Sequence, residues 1–205
     1  HIPFTIADQV ASEAHPMMVL ILSLLELPER RLGVSELLDA LDVPAFRARF
    51  AIEEAELPRL RQWLAESGVR WGLSGAHRRS LGFPALHENS WAFGLERMLL
   101  GYSTGPLPPG RSTGPLPPGR STGPLPDSTA WQFDEIVPYD EVGGLEADLA
   151  GRLAELIRVM AAQCEALNSA ATPEDWLARL RQLIDTLFAP TALDEHDVLA
   201  RGCLL

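Results

Sequence analysis

A mainly α fold, interrupted by one Pro/Gly-rich loop, is what this sequence predicts, and three observations carry the prediction. Leu145, Leu149, Leu153, Leu156 and Met160 recur at helical spacing, with Glu146, Asp148, Arg152 and Glu155 off that face. Thr172-Pro173-Glu174-Asp175 joins a capping hydroxyl, a proline at the first helical position and acids in the first turn, where the helix dipole favours them. Strand signals are confined to residues 2–6 and 135–137.

Taken in order, residues 14–27 open with His15-Pro16 and are apolar on nearly all sides, which predicts a buried helix ended by Pro28. Ser35 is positioned to cap a short helix reaching Asp42, with Leu37, Leu38 and Leu41 on its inner face. Pro44 starts a further turn carrying Phe46 and Phe50. Residues 57–67 place Leu57, Leu60 and Leu64 on one stripe with Trp63 beside it, and Gly68 stops them. After Ser90, an acceptable cap, Trp91, Leu95, Met98 and Leu99 share a face until Gly101 releases the chain. The helix beginning at Thr172 is expected to run to about Phe188 and to halt near Pro190.

Between the helix at Trp91 and the Leu145 stripe sits a tandem repeat, Ser-Thr-Gly-Pro-Leu-Pro-Pro-Gly-Arg, starting at Ser103, again at Ser112, and truncated over 121–126. Prolines lack the amide hydrogen and glycines resist ordering, so residues 103–126 are expected to form a disordered, polyproline-like loop. Because both flanks read as helical protein, the repeat is expected to be an insertion within a loop of a single domain spanning 1–205. Loops tolerate length cheaply, each doubling costing ~0.6 kcal/mol in closure entropy.

Composition excludes several functions. All 17 basic residues are arginine. Without lysine there is no phosphate-binding G-x-x-x-x-G-K-[ST] loop, no Schiff-base chemistry and no pyridoxal attachment. Cys164 and Cys203 lie far apart, which indicates neither a zinc site nor a disulfide framework and suits a reducing, cytoplasmic setting. The longest apolar run, 17–25, falls short of the ~20 residues of a membrane span. No charged-then-apolar leader follows His1, so the chain is expected to be soluble and excised from something longer.

The net charge of −11 is uneven: residues 1–102 hold 10 arginines against 13 acids, whereas residues 127–205 hold 5 against 15. The acidic second half repels phosphate, so nucleic-acid contact is expected from the first half or the repeat. Arg70-Trp71 and His77-Arg78-Arg79 are the candidates, since guanidinium pairs bidentately with phosphate and an indole offers a stacking face for an unpaired base. Trp71 could equally close the core under the Trp63 helix. Asp134-Glu135 and Asp140-Glu141 are acid pairs of the kind that hold magnesium, but no histidine or lysine lies near them, and solvated acids explain them as well. Asp194-Glu195-His196-Asp197 reads as a solvated face. No nucleophile and base converge, and no catalytic or metal-ligating set is expected.

Longer stretches carry a resemblance. Ile2-Pro3-Phe4, Ala7-Asp8, His15-Pro16 and the apolar helix after them resemble the point in superfamily 1 helicases where a strand of the second motor domain leads into its accessory domain. Val43 to Phe50, Leu60 to Gly72 and Trp91 to Tyr102, with Val137-Pro138-Tyr139-Asp140-Glu141 and Gly144-Leu145, resemble the gamma chain of bacterial exodeoxyribonuclease V, the RecC subunit family of RecBCD complexes. The resemblance covers nearly the whole chain outside residues 103–130. It implies the helical accessory (2B-like) domain of a helicase-like fold without a working ATP site, acting as a scaffold and DNA guide in double-strand break repair and recombination. RecB-like and RecD-like subunits would be its partners and would bind the ATP and magnesium, DNA being engaged through the whole complex in the bacterial cytoplasm. A different class of function remains open: a stand-alone helical interaction module recruiting a partner through the proline repeat, with Arg111 and Arg120 adding charge.

Overall fold

In a computed structural model of the chain, the described residues are 16–104, 136–139, 141–142 and 146–189. They form eight helices: α1 (Pro16–Leu25), α2 (Val34–Leu41), α3 (Pro44–Arg49), α4 (Leu57–Glu66), α5 (Gly75–Ser80), α6 (Trp91–Thr104), α7 (Ala147–Leu167) and α8 (Pro173–Leu187). The expected strand at 2–6, most of the repeat, Leu145, the acids Asp134, Glu135 and Asp140, and the 194–197 cluster lie outside the described residues. Extended pairing among the described residues is limited to isolated bridges, Gly33 with Trp71 and one at Ile136, and residue 135 of the expected 135–137 strand lies outside the described residues.

The helix starts follow backbone chemistry. Thr172 Oγ1 accepts from the Asp175 N–H at 3.2 Å, the cap expected from the sequence, and the Asp175 carboxylate accepts from the Thr172 N–H at 3.3 Å, which makes the cap a reciprocal box. Ser90 Oγ accepts from the Phe93 N–H at 3.2 Å. Ser35 does not cap α2. The cap is Gly33, whose N–H donates to Glu36 Oε2 at 2.6 Å, leaving Ser35 inside the helix. α1 ends at Leu25, and Pro28 sits in a short 3-10 turn, Leu27–Glu29.

α6 also departs from expectation. Gly101 does not release the chain, and the helix continues through the first two residues of the repeat. Ser103 Oγ and Thr104 Oγ1 donate to the Leu99 and Leu100 carbonyls at 2.8 and 2.9 Å, occupying acceptors that a helix end leaves unpaired. Leu99, assigned to the inner face, is 45% exposed, and Gly94 lies inward in its place. A Cβ on Gly94 would stand 2.1 Å from Val69 Cγ2, so only glycine lets α6 approach this close.

One cluster of buried side chains runs from Met17 to Phe188. α7 supplies Leu149, Leu153, Leu156 and Met160 to it, as its stripe predicts, and packs against α6, α8 and the 3-10 turn after α1. Trp63, next to the Leu57, Leu60 and Leu64 stripe, is fully buried in the core. Phe46 meets Phe50 and Phe188 edge-on at 5.5 and 5.9 Å, which joins α3 to the end of α8.

Charged ties hold α7 to the turn before α4. Arg152 forks onto Glu56, Nη1 to Oε2 at 3.0 Å and Nη2 to Oε1 at 2.6 Å, and also donates to the carbonyl of Ala51, a non-glycine residue at φ +52°. Arg59 donates through Nε to Glu146 at 2.8 Å. Burial pushes the Glu56 carboxyl up, but the Arg152 hydrogen bonds and charge together with the Glu53 backbone outweigh it, and the net shift is downward. A depressed folded-state pKa gives stability that is present above the unfolded value and lost as pH falls through the folded one. Stability is therefore expected to fall as pH drops below about 4, and Glu56→Gln to flatten that acid limb in urea titrations across pH. An unchanged limb would remove the pair from the account.

A second tie joins residues 137–139 to α6 and α4. The Tyr139 N–H donates to the Arg97 carbonyl at 2.8 Å, and Arg97 donates from Nε to the Val137 carbonyl at 2.8 Å and from Nη1 to the Ser67 carbonyl at 2.6 Å. The Tyr139 hydroxyl donates to Glu66, and burial with that carboxylate drives the phenol far above its ordinary range. The chain that leaves α6 at Thr104 is thus fastened to the same helix when it returns.

Candidate nucleic-acid interface

The expected contact residues fall on the segment between α4 and α6. Gly68, at φ +84°, ends α4 and turns the chain, after which the Arg70 N–H donates to the Asn89 carbonyl at 2.9 Å and the Val34 N–H to the Arg70 carbonyl at 3.3 Å. Trp71 bridges to Gly33, and this pairing sets the start of α2 against the start of α6. Ser74 then caps α5, accepting from the His77 N–H at 3.2 Å.

α5 is short, and its side chains divide sharply between inside and outside. Arg78 is only 5% exposed. Its Nη1 donates to the carbonyls of Leu86 and Glu88 at 2.9 and 2.8 Å, and its Nη2 to that of Trp71 at 2.9 Å. It crosses Gly72, where a Cβ would lie 3.0 Å from its Cγ and Nε; glycine at φ +80° is required there on both counts. Burial pulls the guanidinium pKa down and Glu88 pushes it up, but guanidinium stays charged at any ordinary pH. His77 is buried too. Its Nδ1 accepts from the Leu73 N–H at 3.2 Å, which places the ring proton on Nε2, and burial lowers its pKa, so the neutral imidazole is the folded form.

Trp71 neither closes the core under Trp63 nor stands free. It is half-buried, with the Arg78 guanidinium 4.5 Å from its ring centroid, Phe83 edge-on at 5.3 Å, and Arg31 at 5.4 Å. Arg31 also lies 4.7 Å from the Phe83 ring. Arg70, Arg79 and Arg31 are exposed, as are Phe83 and Leu86 at 37% and 59%. The five expected residues therefore separate. Arg70 and Arg79 offer free solvent-facing guanidinium surface, Trp71 offers part of an indole, and His77 and Arg78 are committed internally.

Sequence reasoning missed Arg31 and Phe83. Arg30-Arg31 is visible as a basic doublet, but nothing in the spacing brings it beside a tryptophan forty residues later. That juxtaposition depends on the Gly72 N–H, which donates to the Arg31 carbonyl at 2.7 Å. Chemically, the arrangement is an exposed guanidinium, Arg31, beside a partly covered aromatic pair, Trp71 and Phe83, able to contact phosphate and to stack one planar group.

Among the described residues, no three His, Cys, Asp or Glu side chains converge as a metal set, and no helix is long and apolar enough to cross a membrane. Glu141, one member of the second acid pair, is exposed. Cys164 is buried in α7, and burial raises its thiol pKa.

The family model for the fourth domain of the RecBCD enzyme subunit RecC matches residues 14–201. The chain is similar to RecBCD enzyme subunit RecC of Escherichia coli (strain K12), 35% identical over 195 residues, covering 95% of this chain and 15% of that protein. It is similar to the same subunit of Mycobacterium tuberculosis (strain H37Rv), 31% identical over 184 residues, 90% of this chain and 15% of that one. For Haemophilus influenzae (strain Rd) the identity is 32% over 187 residues, 91% of this chain and 14% of the relative. The chain thus spans about 15% of the length of the curated relatives it matches. A match that runs through every described helix, from before α1 to beyond α8, places this chain in the RecC family, at its fourth domain.

Proposed function

We propose that this chain is a non-catalytic scaffold and DNA-guiding domain of a RecBCD-type helicase-nuclease complex, serving double-strand break repair and recombination alongside RecB-like and RecD-like subunits. The observation that carries the guiding role is the exposed Arg31 beside the Trp71 ring, with Arg70 and Arg79 also exposed on the same segment between α4 and α6, in a chain whose total charge is −11. A few exposed cations on an acidic body contact a strand passing through a larger assembly without holding free DNA tightly. On this reading the fold is that of a helicase accessory domain, and ATP and magnesium are bound by the other subunits in the cytoplasm.

The test is forked-DNA binding by the assembled complex across a salt series. Each phosphate contact contributes about 0.7 to 0.9 to the slope of log K against log salt. The double variant Arg31→Ala, Arg79→Ala is expected to bind more weakly and to lower that slope by between about 1.4 and 1.8. Superimposable lines for variant and parent would strike out DNA guiding and leave scaffolding alone.

We further propose that residues 1–205 form one domain in which 103–126 is an insertion. The continuous core and the Tyr139–Arg97 tie support this. Deleting 105–126, which keeps the Ser103 and Thr104 hydroxyls, is expected to leave partner binding intact and to raise stability by about 1 kcal/mol through a shorter closed loop. Lost partner binding would favour the interaction-module reading, in which the repeat itself recruits.

A further inference from the structure

We propose that the groove between α1 and α2 is the seat of a basic amphipathic helix belonging to another subunit of the complex. α1 reads PMMVLILSLL, with Ser23 its one polar side chain. A helix apolar on all sides is normally covered on all sides. Yet Val19 and Leu22 are 49% and 45% exposed. Beside Val19 runs an open groove of about 380 Å³. Pro16, Val19, Leu20, Ser23, Leu24 and Leu27 line one wall, a spacing of three and four that turns a single face of α1 and the turn after it into the groove. Glu36, Leu37, Ala40 and Val43 supply the α2 side, and Met160 of α7 adds to the floor. A trough walled by two helices is a form that receives a third, through apolar side chains at i, i+3, i+4 and i+7. The ~15 Å length of α1 accommodates about three turns of it.

Charge selects the occupant. Residues 16–46 hold five acids, Glu26, Glu29, Glu36, Asp39 and Asp42, against Arg30 and Arg31. Arg31 is turned to the Trp71 and Phe83 rings. Arg30 is already paired, its Nη2 3.1 Å from Glu36 Oε1 and its Nη1 3.8 Å from Glu26. Asp39, on the groove's lip, is exposed and has no ion pair among the described residues. The same holds for Glu29 and Asp42, which adjoin the lining residues Arg30 and Val43 in sequence. These uncompensated carboxylates repel a phosphate backbone and attract lysine or arginine placed beside apolar anchors. A second copy of this chain does not fit that description. On its other described helices the exposed apolar pairs, Leu99 with Tyr102 and Trp176 with Leu177, follow Glu96 and Glu174-Asp175, and Arg179 is bonded to Ser169. The inference rests on the chain's place in a multi-subunit complex, and stands whether or not Arg31 and Trp71 touch DNA.

Two measurements test it. In the first, the full 205-residue chain is titrated with a labelled helical peptide of about four turns, leucine at the anchor positions and lysine elsewhere, and with its counterpart carrying glutamate for lysine. The lysine peptide is expected to bind about tenfold more tightly. Asp39→Arg should remove most of that preference, whereas Glu174→Arg, the same charge change on α8, should leave it within about twofold. No preference, or equal loss in the two variants, would overturn the proposal by reducing it to general attraction toward an acidic protein. In the second, Val19→Cys in a full-length RecC subunit carrying this domain is labelled with a maleimide, alone and after assembly with RecB and RecD subunits, and the modified site is read by mass spectrometry. Val19 is exposed, so the substitution leaves the core intact. Assembly is expected to slow labelling about tenfold. Protection already complete in the isolated subunit would overturn the proposal in favour of that subunit's own other domains. Equal rates before and after assembly would overturn it outright, while leaving the salt series on forked DNA untouched.

Discussion

Trp91→Ala is expected to destabilise the chain by about 5 kcal/mol, a loss comparable with the whole stability of a small domain. The indole is fully buried at the head of α6, and removing a side chain of that size from a packed core costs about 3–5 kcal/mol in lost burial and residual cavity. Its Nε1 also donates to the Leu32 carbonyl at 2.8 Å, and Leu32 is a non-glycine residue at φ +49°. Losing that donor leaves the Leu32 carbonyl with only the longer bond from the Gly72 N–H, at 3.3 Å, and adds about 1 kcal/mol. The left-handed conformation of Leu32 then loses a contact that holds it in place. Urea unfolding should show the full effect for alanine and about half of it for Trp91→Phe, which keeps most of the ring volume and loses the donor. Equal losses for the two variants would mean that the hydrogen bond, and not the packing, dominates.

Arg78→Ala is expected to cost about 3 kcal/mol and to free the 81–89 loop. Three carbonyls, those of Trp71, Leu86 and Glu88, converge on one guanidinium. Hydrogen bonds to a charged donor contribute about 1.5–3 kcal/mol each, but the loop carbonyls regain water when released, so the sum is not reached. Arg78→Lys should recover less than half, because an ammonium at the end of a flexible stem cannot address three acceptors held at the fork's spacing. Backbone amide exchange in residues 81–89 should rise in both variants while α7 stays protected. If lysine restored full stability, the bonding geometry assigned here to Arg78 would be unnecessary. The variant also serves as a control for the DNA experiment: Arg78 is internal, so at temperatures where the fold persists it should leave the salt slope unchanged.

The helices were legible in the sequence wherever a stripe or a cap is local. The α7 stripe from Leu149 onward, the Thr172 cap, the Ser90 cap and the Pro44 turn depend on contacts within four residues, and each forms as written. What escaped were features decided at a distance. Leu99 has the spacing of an inward residue, yet Gly94 turns inward because Val69, from another segment, leaves no room for a side chain. Ser35 has the chemistry of a cap, but Gly33 takes that place because it bridges Trp71. The candidate contact residues divide for the same reason. Arginine at 78 reads like arginine at 79, and only the tertiary placement of loop 81–89 makes one a buried anchor and the other a solvent-facing charge. Arg31 comes beside Trp71 for an equally non-local reason. The family resemblance was legible because it rests on ordered runs of residues, which survive without knowledge of any contact.

The Tyr139–Arg97 tie has a consequence for engineering. Its described bonds reach the α6 backbone and the end of α4, holding Val137 and Tyr139 against both. Thr104 and Val137 are thus two anchored points, and a biotin-acceptor peptide grafted between them is expected to leave the urea unfolding of the eight described helices unchanged.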